Sequence, residues 1–578
     1  MSELLTTLRQ HGISELACQF AAYIDRKEQG MRPVISLTSA LLTEAVADGH
    51  VCLNLRQLPD FFQPFKSLLP DTVADWQTLL LQGKTVGQPG DYRPLILSDQ
   101  GLLYLYRYYR DEQDVAQLIQ QRLQPVNVDI EQLNDDLSHW TSLIDGTDWQ
   151  KVAVAMALTR QLAIISGGPG TGKTTIVLSM LDSLQQQSPE LHIGLAAPTG
   201  KAAARLQQSI STHHAYEVKT LHRLLGITEH NDQGRYNAER PLPLDLLIID
   251  EASMIDISLM AKLMRALSPS ARLILLGDSQ QLASVESGAV LANLSEEVQG
   301  QFSAEFSEQF PELEIPVSAD AQPSALQNSF VRLQHSYRFD KDSAIGLLAK
   351  QVNAGDVLEV LALLNPMQNA IWSNTDEAMQ QQGFLAGYQA FIDAVEKKQS
   401  PQTVVQAFDH FRILAALRQG PQSVLSVNRL MMRLLGQRGW RTHQPFYAGR
   451  PIMVTQNDYR QHLFNGDTGI ILHDDTGQLR ACFCFDEEVR WVPINRLPAH
   501  ETAFAMTVHK SQGSEFDTVS ILLPDEISPI LNRELLYTAI TRAKQNVFIL
   551  SKESTLRHTI QTRHQRESGL KMQLAASV

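Results

Sequence analysis

The stretch GGPGTGKTT, Gly167 to Thr175, decides the fold. It contains the pattern G-x-x-x-x-G-K-T, with the apolar run LAIIS (162–166) before it and the helix-forming run IVLSMLDSL (176–184) after it. A strand, a glycine turn and a helix in that order let backbone N–H groups curl round phosphate oxygens. The helix N-terminus adds partial positive charge at the same point. Gly167, Gly168, Pro169, Gly170, Thr171, Gly172, Lys173, Thr174 and Thr175 are therefore the expected nucleotide cradle. Lys173 reaches the β- and γ-phosphates as a point charge, and the Thr174 hydroxyl is offered to Mg²⁺. The bland alternative is a glycine turn that binds nothing, and the flanking strand and helix argue against it.

Downstream, the pattern of apolar strand followed by helix repeats in HIGLAAPTG, LDLLIIDEAS and ARLILLGDSQ. That alternation predicts a parallel α/β sheet, whose ligands sit at the C-terminal ends of its strands. DEAS (250–253) falls at such an end, so Asp250 is placed to hold Mg²⁺ and Glu251 to orient or deprotonate an attacking water. In LGDSQQLASVESG (276–288), Gln280 is the candidate reporter of the γ-phosphate, and the polar segment after it would couple that contact to a second site. The glycine loop and the acidic pair together mark a P-loop NTPase using ATP and Mg²⁺. They do not say what the energy is used for.

Bulk properties narrow this. The 578 residues suggest several domains, and a net charge of −14 argues against a protein that simply coats nucleic acid. The charge is uneven: residues 1–140 hold 11 basic against 18 acidic side chains, and residues 401–578 hold 20 against 16. Nucleic acid, if bound, is better matched to the later part. The four cysteines, Cys18, Cys52, Cys482 and Cys484, are too few and too badly spaced for a disulfide framework. Cys482 and Cys484 share a strand face, which suits core packing better than a metal pair. With no secretory leader and no long apolar run, the chain reads as cytoplasmic.

The first 110 or so residues carry amphipathic helical stretches (LLTTLRQ, ELACQFAAYIDRK, SALLTEAVADG). The tyrosines 104, 106, 108 and 109 are either a base-stacking platform or ordinary packing. Phe61, Phe62 and Phe65 in LPDFFQPF are either exposed anchors for a partner or the core of their own domain. Residues 300–328, rich in Ser, Gln, Pro and Glu, read as a poorly ordered insertion. Short strands separated by turns over 440–500 (RPIMVTQ, TGIILHD, ACFCFD, VRWVPI) predict an inserted small β-barrel. Phe446, Tyr447 and Phe464 there either stack on bases or fill its core.

The remaining motifs APTGKAAARL, TLHRLLG, LQHSYRF, AFAMTVHKSQGSEFDTV and ELLYTAITRAK decide the class. With them, residues 148–548 resemble superfamily 1 DNA helicases, and most closely the RecD family of RecBCD (exodeoxyribonuclease V) subunits. The resemblance implies that Gln150 reads adenine, and that Arg338 and Arg542 reach across the cleft to the γ-phosphate. Arginine suits that task because its planar fork holds phosphate oxygens and its charge never switches off. It further implies that Pro198, Thr199, Lys201, Arg205, Thr220 and His222 of the first lobe, with Thr507, His509, Ser511 and Gln512 of the second, touch DNA. RecB-like and RecC-like chains are the implied partners, 5′-to-3′ travel the implied polarity, and any nuclease belongs to a partner.

The architecture expected is an N-terminal docking domain (1–115), a linker (116–147) and a RecA-like first lobe (148–335) with a small hairpin near 226–243. A RecA-like second lobe (336–439 and 501–578) carries the inserted barrel (440–500). The rivals are a stand-alone DNA or RNA helicase of the same superfamily and a nucleotide-binding scaffold. The full hydrolytic set of Lys173, Glu251, Arg338 and Arg542 argues against the scaffold.

Overall fold

The computed structural model describes residues 2–140, 146–228, 230–295, 302–317, 326–337, 343–364, 370–373, 377–458, 460–485 and 488–575. The N-terminal unit is helical at first, with Ser14 capping the helix Glu15–Lys27 and Pro33 opening the helix Pro33–Ala47. It then adds a small sheet of β1 (Leu53–Asn54), β2 (Val86–Gly87), β3 (Leu95–Leu97) and β4 (Leu102–Leu105), in the order β1-β4-β3-β2. Phe62 and Phe65 are buried in this unit's own core with Trp76, Leu41 and Leu95, so they are not exposed anchors. The side chain of Phe61 lies outside the described residues.

The tyrosine cluster is likewise structural. Tyr104 and Tyr109 are buried, and Tyr104 donates to the carboxylate of Glu112 at 2.9 Å. Tyr106 and Tyr108 pack against the same core. The helix Tyr106–Gln121 runs through the expected 115/116 boundary and lies along the first lobe's helix Ile257–Ala266. Arg265 clamps it with bonds to Asp111 (2.8 Å) and Asp114 (2.6 Å), and Arg122 donates to the carbonyl of Ser268 at 2.8 Å.

The first lobe is a six-stranded sheet of β5 (Leu162–Ser166), β6 (Ile193–Ala197), β7 (Val218–Thr220), β8 (Leu246–Ile249), β9 (Arg272–Gly277) and β10 (Phe330–Arg332). All pairs are parallel, in the order β10-β5-β9-β8-β6-β7. β5, β8 and β9 are buried along their whole length, as continuous apolar runs with helices on both faces must be. Two expectations change here. Residues 302–317 are folded: Phe302, Phe306 and Phe310 enter the lobe's core, the first two stacked at 4.9 Å. The 226–243 segment is a turn-rich loop with a single antiparallel bridge, Thr228–Asn231, among its described residues.

The second lobe is a five-stranded parallel sheet of β11 (Ala370–Ser373), β12 (Phe411–Ala415), β18 (Ala505–Thr507), β19 (Phe516–Leu522) and β20 (Ala543–Leu550). Its order is β11-β20-β19-β12-β18. Between β12 and β18 the chain inserts β13 (Pro451–Val454), β14 (Thr468–His473), β15 (Leu479–Phe485), β16 (Glu488–Pro493) and β17 (His500–Thr502). They form the antiparallel sheet β16-β15-β14-β13-β17, and among the described residues hydrogen bonding does not close the ring between β16 and β17. Its alternation serves two cores. Ile452, Ile471, Ala481 and Phe483 fill the insert itself, while Ile470, Leu472 and Cys482 pack on the second lobe. Tyr447 is buried, and Phe446 is half-buried with one side packed on the insert's core. Among the described residues no helix is long and apolar enough to cross a membrane.

Candidate nucleotide cleft and strand-contact face

The C-terminal ends of β5, β8 and β9 meet the second lobe around a cavity of about 360 Å³. The glycine loop forms its floor. Gly172 has φ +84°, a left-handed conformation that favours glycine, and the Gln150 amide lies 2.0 Å from where a Cβ would stand. Lys173 starts the following helix, and its ammonium donates to the carbonyls of Gly167 (2.6 Å) and Gly168 (3.2 Å). Pro169, Gly170, Thr171, Thr174 and Thr175 line the cavity with it. Gln150 does not line it: its amide donates to the Thr171 carbonyl at 2.9 Å, bracing the loop from behind.

Asp250 and Glu251 reach the same cavity from β8. Burial, and then the adjacent Glu251 charge, push the Asp250 carboxyl above its usual range. Glu251 sits at φ +54°, a left-handed conformation that strains a residue with a side chain. Asp278 at the end of β9 is buried and accepts from the Tyr537 hydroxyl of the second lobe at 2.9 Å. Gln280 points away from the cavity and accepts from Asn353 of the second lobe at 2.9 Å, while its buried neighbour Gln281 lines the cavity.

The second lobe contributes Gly513, Glu515 and Arg542. Arg542 is only 2% exposed and donates to the carbonyls of Thr538 and Ser514. Burial holds its guanidinium below the ordinary value, and the Glu251 and Glu515 charges oppose that shift. Arg338 lies outside the described residues. The stretch before it is seated on the glycine loop: the Tyr337 N–H donates to the Gly170 carbonyl at 2.8 Å and the Ser336 hydroxyl to that of Pro169 at 3.1 Å.

The expected DNA residues divide. Thr199 caps the helix Gly200–Ser211, and Thr220 caps the helix Leu221–Leu225. Because Ala197 pairs with Thr220 in the sheet, Pro198 and Thr199 lie beside Thr220 and His222 along one edge. Lys201 is half-buried facing the insert, where Phe464 packs on Gly200, and burial pushes its ammonium down to about 8. Arg205 turns the other way: it lines the nucleotide cavity and forms an ion pair with Glu515 across the lobes.

In the second lobe, Thr507 ends β18, and its hydroxyl accepts from the Lys510 N–H. Burial and the Arg566 charge keep the half-buried His509 below the usual imidazole range, so it is neutral near pH 7. Ser511 is fully buried and donates to Val508. Gln512 is buried too and donates to the Leu282 carbonyl of the first lobe at 2.9 Å. Gln512 therefore joins the two lobes, while the Ser511 hydroxyl is taken up within its own lobe. Gln281, Glu515, Tyr337 and Tyr537 complete the cleft without having been singled out in the sequence.

The AAA domain family matches residues 150–287, the UvrD-like helicase C-terminal domain 502–550, and the N-terminal domain of RecBCD enzyme subunit RecD 9–104. The chain is 37% identical to the RecBCD enzyme subunit RecD of Haemophilus influenzae over 86% of its own length and 84% of that protein's. It is 36% identical to that of Mycobacterium tuberculosis over 98% of its length and 94% of that protein's. An ATP-dependent RecD2 DNA helicase of Deinococcus radiodurans is 30% identical over 78% of this chain and 55% of that one. Among solved structures, Bacteroides Pif1 bound to single-stranded DNA covers 71% of the chain at 19% identity, with 94% of that chain covered and a TM-score of 0.39. With two relatives above a third identical over more than four-fifths of both chains and a matching N-terminal domain, the chain belongs to the RecD family of RecBCD enzyme subunits.

Proposed function

We propose that this chain is the ATP-driven helicase subunit of a RecBCD-type complex, moving 5′ to 3′ on one DNA strand at double-strand ends during recombinational repair in the cytoplasm. The observation that carries the reading is that a single cavity gathers Lys173, Asp250 and Glu251 from one lobe and Arg542 and Glu515 from the other. A hydrolytic site shared between lobes makes their separation depend on the state of the nucleotide. Lys173 offsets charge on the β- and γ-phosphates, Glu251 orients the attacking water, and Arg542 meets the charge that develops as the γ-phosphoryl group leaves. Arg338 is assigned the same task as Arg542 on sequence grounds. Thr174 and Asp250 offer hydroxyl and carboxylate oxygens to this cavity, a donor set that suits Mg²⁺ completed by phosphate and water oxygens. That ion would neutralise phosphate charge there.

The strand-contact face is formed by Pro198, Thr199, Lys201, Thr220 and His222 on the first lobe and Thr507 and His509 on the second. The N-terminal unit is assigned to docking on RecB-like and RecC-like partners, through exposed apolar side chains such as Leu16 and Met31.

ATP turnover of the full-length chain, with and without single-stranded DNA, tests the reading. Strong stimulation in the wild type and none in Lys173→Gln is expected. Near-normal stimulated turnover in that variant would remove the P-loop assignment. Equal stimulation by RNA would move the reading to the rival RNA helicase, since no motif here reads a 2′-hydroxyl.

A further inference from the structure

The segment after the helix Glu553–Gln561 leaves the second lobe and crosses to the rest of the molecule. Its start stays with that lobe: the Arg533 N–H donates to the Thr562 carbonyl, and the His564 N–H to the Glu534 carboxylate at 3.1 Å. Its end is fixed in the N-terminal unit. The Val51 N–H donates to the Glu567 carbonyl at 2.8 Å, and the Glu567 N–H to His50 Nδ1 at 3.0 Å. The buried Glu112 carboxylate accepts from the Ser568 hydroxyl and, at 3.0 Å, from the Gly569 N–H. Leu570 and Leu574 then disappear into the core shared with Tyr104 and Tyr109.

Between these two anchorages stands Arg566. Its Nη1 donates to the carbonyls of Glu286 (2.8 Å) and Gly288 (2.9 Å) and reaches the Ser284 hydroxyl at 3.4 Å. The single Ser284 hydroxyl proton is shared between the same two carbonyls, each at 2.9 Å, so arginine and serine together tie the 284–288 loop to itself. The N-terminal unit holds that loop from the other side, through Gly288 N–H to the Gly49 carbonyl and Ser287 hydroxyl to that of Val46. Gly49 has φ +94°, a backbone conformation that favours glycine, and the Arg566 guanidinium lies close over it, 2.7 Å from where a Cβ would stand.

The other end of this loop belongs to the joint between the lobes. Gln280 meets Asn353, the Leu282 N–H donates to Thr538 at 2.9 Å, and Gln512 donates to the Leu282 carbonyl. Thr538 lies four residues before Arg542 on the segment that carries it. The stretch 280–288 therefore touches the second lobe's nucleotide side at one end and that lobe's C-terminal strap at the other. A relative movement of the lobes must load both ends, and a stiff segment transmits load where a floppy one absorbs it.

We propose that Arg566 is a positioning residue of the motor: by stiffening the 284–288 loop from the strap, it sets how strongly DNA in the motor drives ATP turnover. The proposal rests on the motor reading above. Arg566 lies outside the nucleotide cavity and outside every matched helicase motif.

Arg566→Ala in the full-length chain tests it, with turnover measured over a range of ATP and of oligo-dT. DNA-free turnover and the KM for ATP should stay within about twofold of wild type. Stimulation by DNA should fall at least fivefold, the lower end of ordinary coupling between sites. Ser284→Ala alone should lower stimulation in the same way, and adding it to Arg566→Ala should cost little more, because both act on one loop. Arg566→Lys keeps the charge but not the fork, and should recover only part of the stimulation. An equal proportional fall in DNA-free and stimulated rates, or full stimulation in Arg566→Ala, overturns the proposal while the motor reading stands. A wild-type chain that DNA does not stimulate overturns both.

Discussion

Lys173 donates to two carbonyls of its own loop, so its charge is already aimed at the floor of the cavity. Lys173→Gln keeps the length but removes the charge, and turnover measured at saturating ATP should fall by about 10²–10³ or more. Arg542 is held by two carbonyls of its own lobe, and Arg542→Ala should lower kcat by about 10³ or more with a much smaller change in ATP affinity. A loss of only a few-fold, with affinity and rate falling together, would make Arg542 structural. At this scale the sequence was readable where a motif ended a buried strand, as at Lys173 and Asp250, because strand ends fix what points into the cleft. It was not readable where a turn or helix phase decides. Gln280 and Gln281 are one step apart, and the turn after Asp278 sends only the second into the cavity. Arg205 shares the cavity with Ala202, Leu206 and Ser209, which is helical i, i+3, i+4, i+7 spacing. That phase was a signal in the sequence that puts Arg205 on the cavity-facing side of its helix.

Among elements, the helix Gly200–Ser211 has the most demanding position, with one face on the cavity and its first turn against the inserted sheet. Burial there depresses the Lys201 ammonium to about 8, so it is charged at pH 7 and mostly neutral at pH 9. If Lys201 meets a phosphate, single-strand affinity should weaken as pH rises through about 8. Lys201→Arg, which stays charged, should flatten that dependence. Fluorescence anisotropy with labelled oligo-dT from pH 7 to 9 checks it, and an identical pH slope in the variant would remove Lys201 from the strand face. The insert was legible as an element because its strands alternate and turns separate them, yet alternation alone does not reveal two covered faces. Cys482 and Phe483 are adjacent in β15 and are buried in different cores, one against the second lobe and one within the insert. The 302–317 segment was misread for the opposite reason. Phe302, Phe306 and Phe310 recur every fourth residue among polar side chains, before, within and just after the short helix Ala304–Gln309, so polar composition hid three buried anchors.

On the scale of the whole molecule, the N-terminal unit is not the detachable module that its charge and the apparent linker suggest. Val115, Ala116 and Ile119 of the helix Tyr106–Gln121 share one core with Met260, Met264 and Leu275 of the first lobe and with Leu570 and Leu574 of the strap. Sequence could not show this, because the helix reads as ordinary amphipathic surface until its partners from distant parts of the chain are known. Buried Glu112 lies at the meeting point, and burial raises its carboxyl to about 7. A raised folded value means that its contribution is complete below about 4.5 and is lost as pH rises towards about 7. Glu112→Gln, which keeps an acceptor for the Gly569 N–H, should therefore gain in Tm relative to wild type between pH 5 and pH 7.5. Deleting residues 1–115 is the sharper test of the joined core. The cut falls inside the helix Tyr106–Gln121, strips the strap of Glu112, His50 and Val51, and exposes a face of the first lobe's helix Ile257–Ala266. Each Leu, Ile or Met side chain left uncovered there forfeits about 1.5–3 kcal/mol, and several together exceed the ordinary margin of stability. The truncated chain should aggregate or unfold well below the intact protein, and its DNA-stimulated turnover should be lost along with any partner binding. If calorimetry of the intact chain shows one transition for the N-terminal unit and the first lobe, the two fold as a single body. If the truncation instead stays monomeric and turns over ATP normally, the shared core carries far less stability than its burial implies, and docking can then be mapped by deletion. Until that outcome, surface substitutions such as Leu16→Asp and Met31→Asp are the sound test of docking, because they alter exposed side chains and leave the core intact.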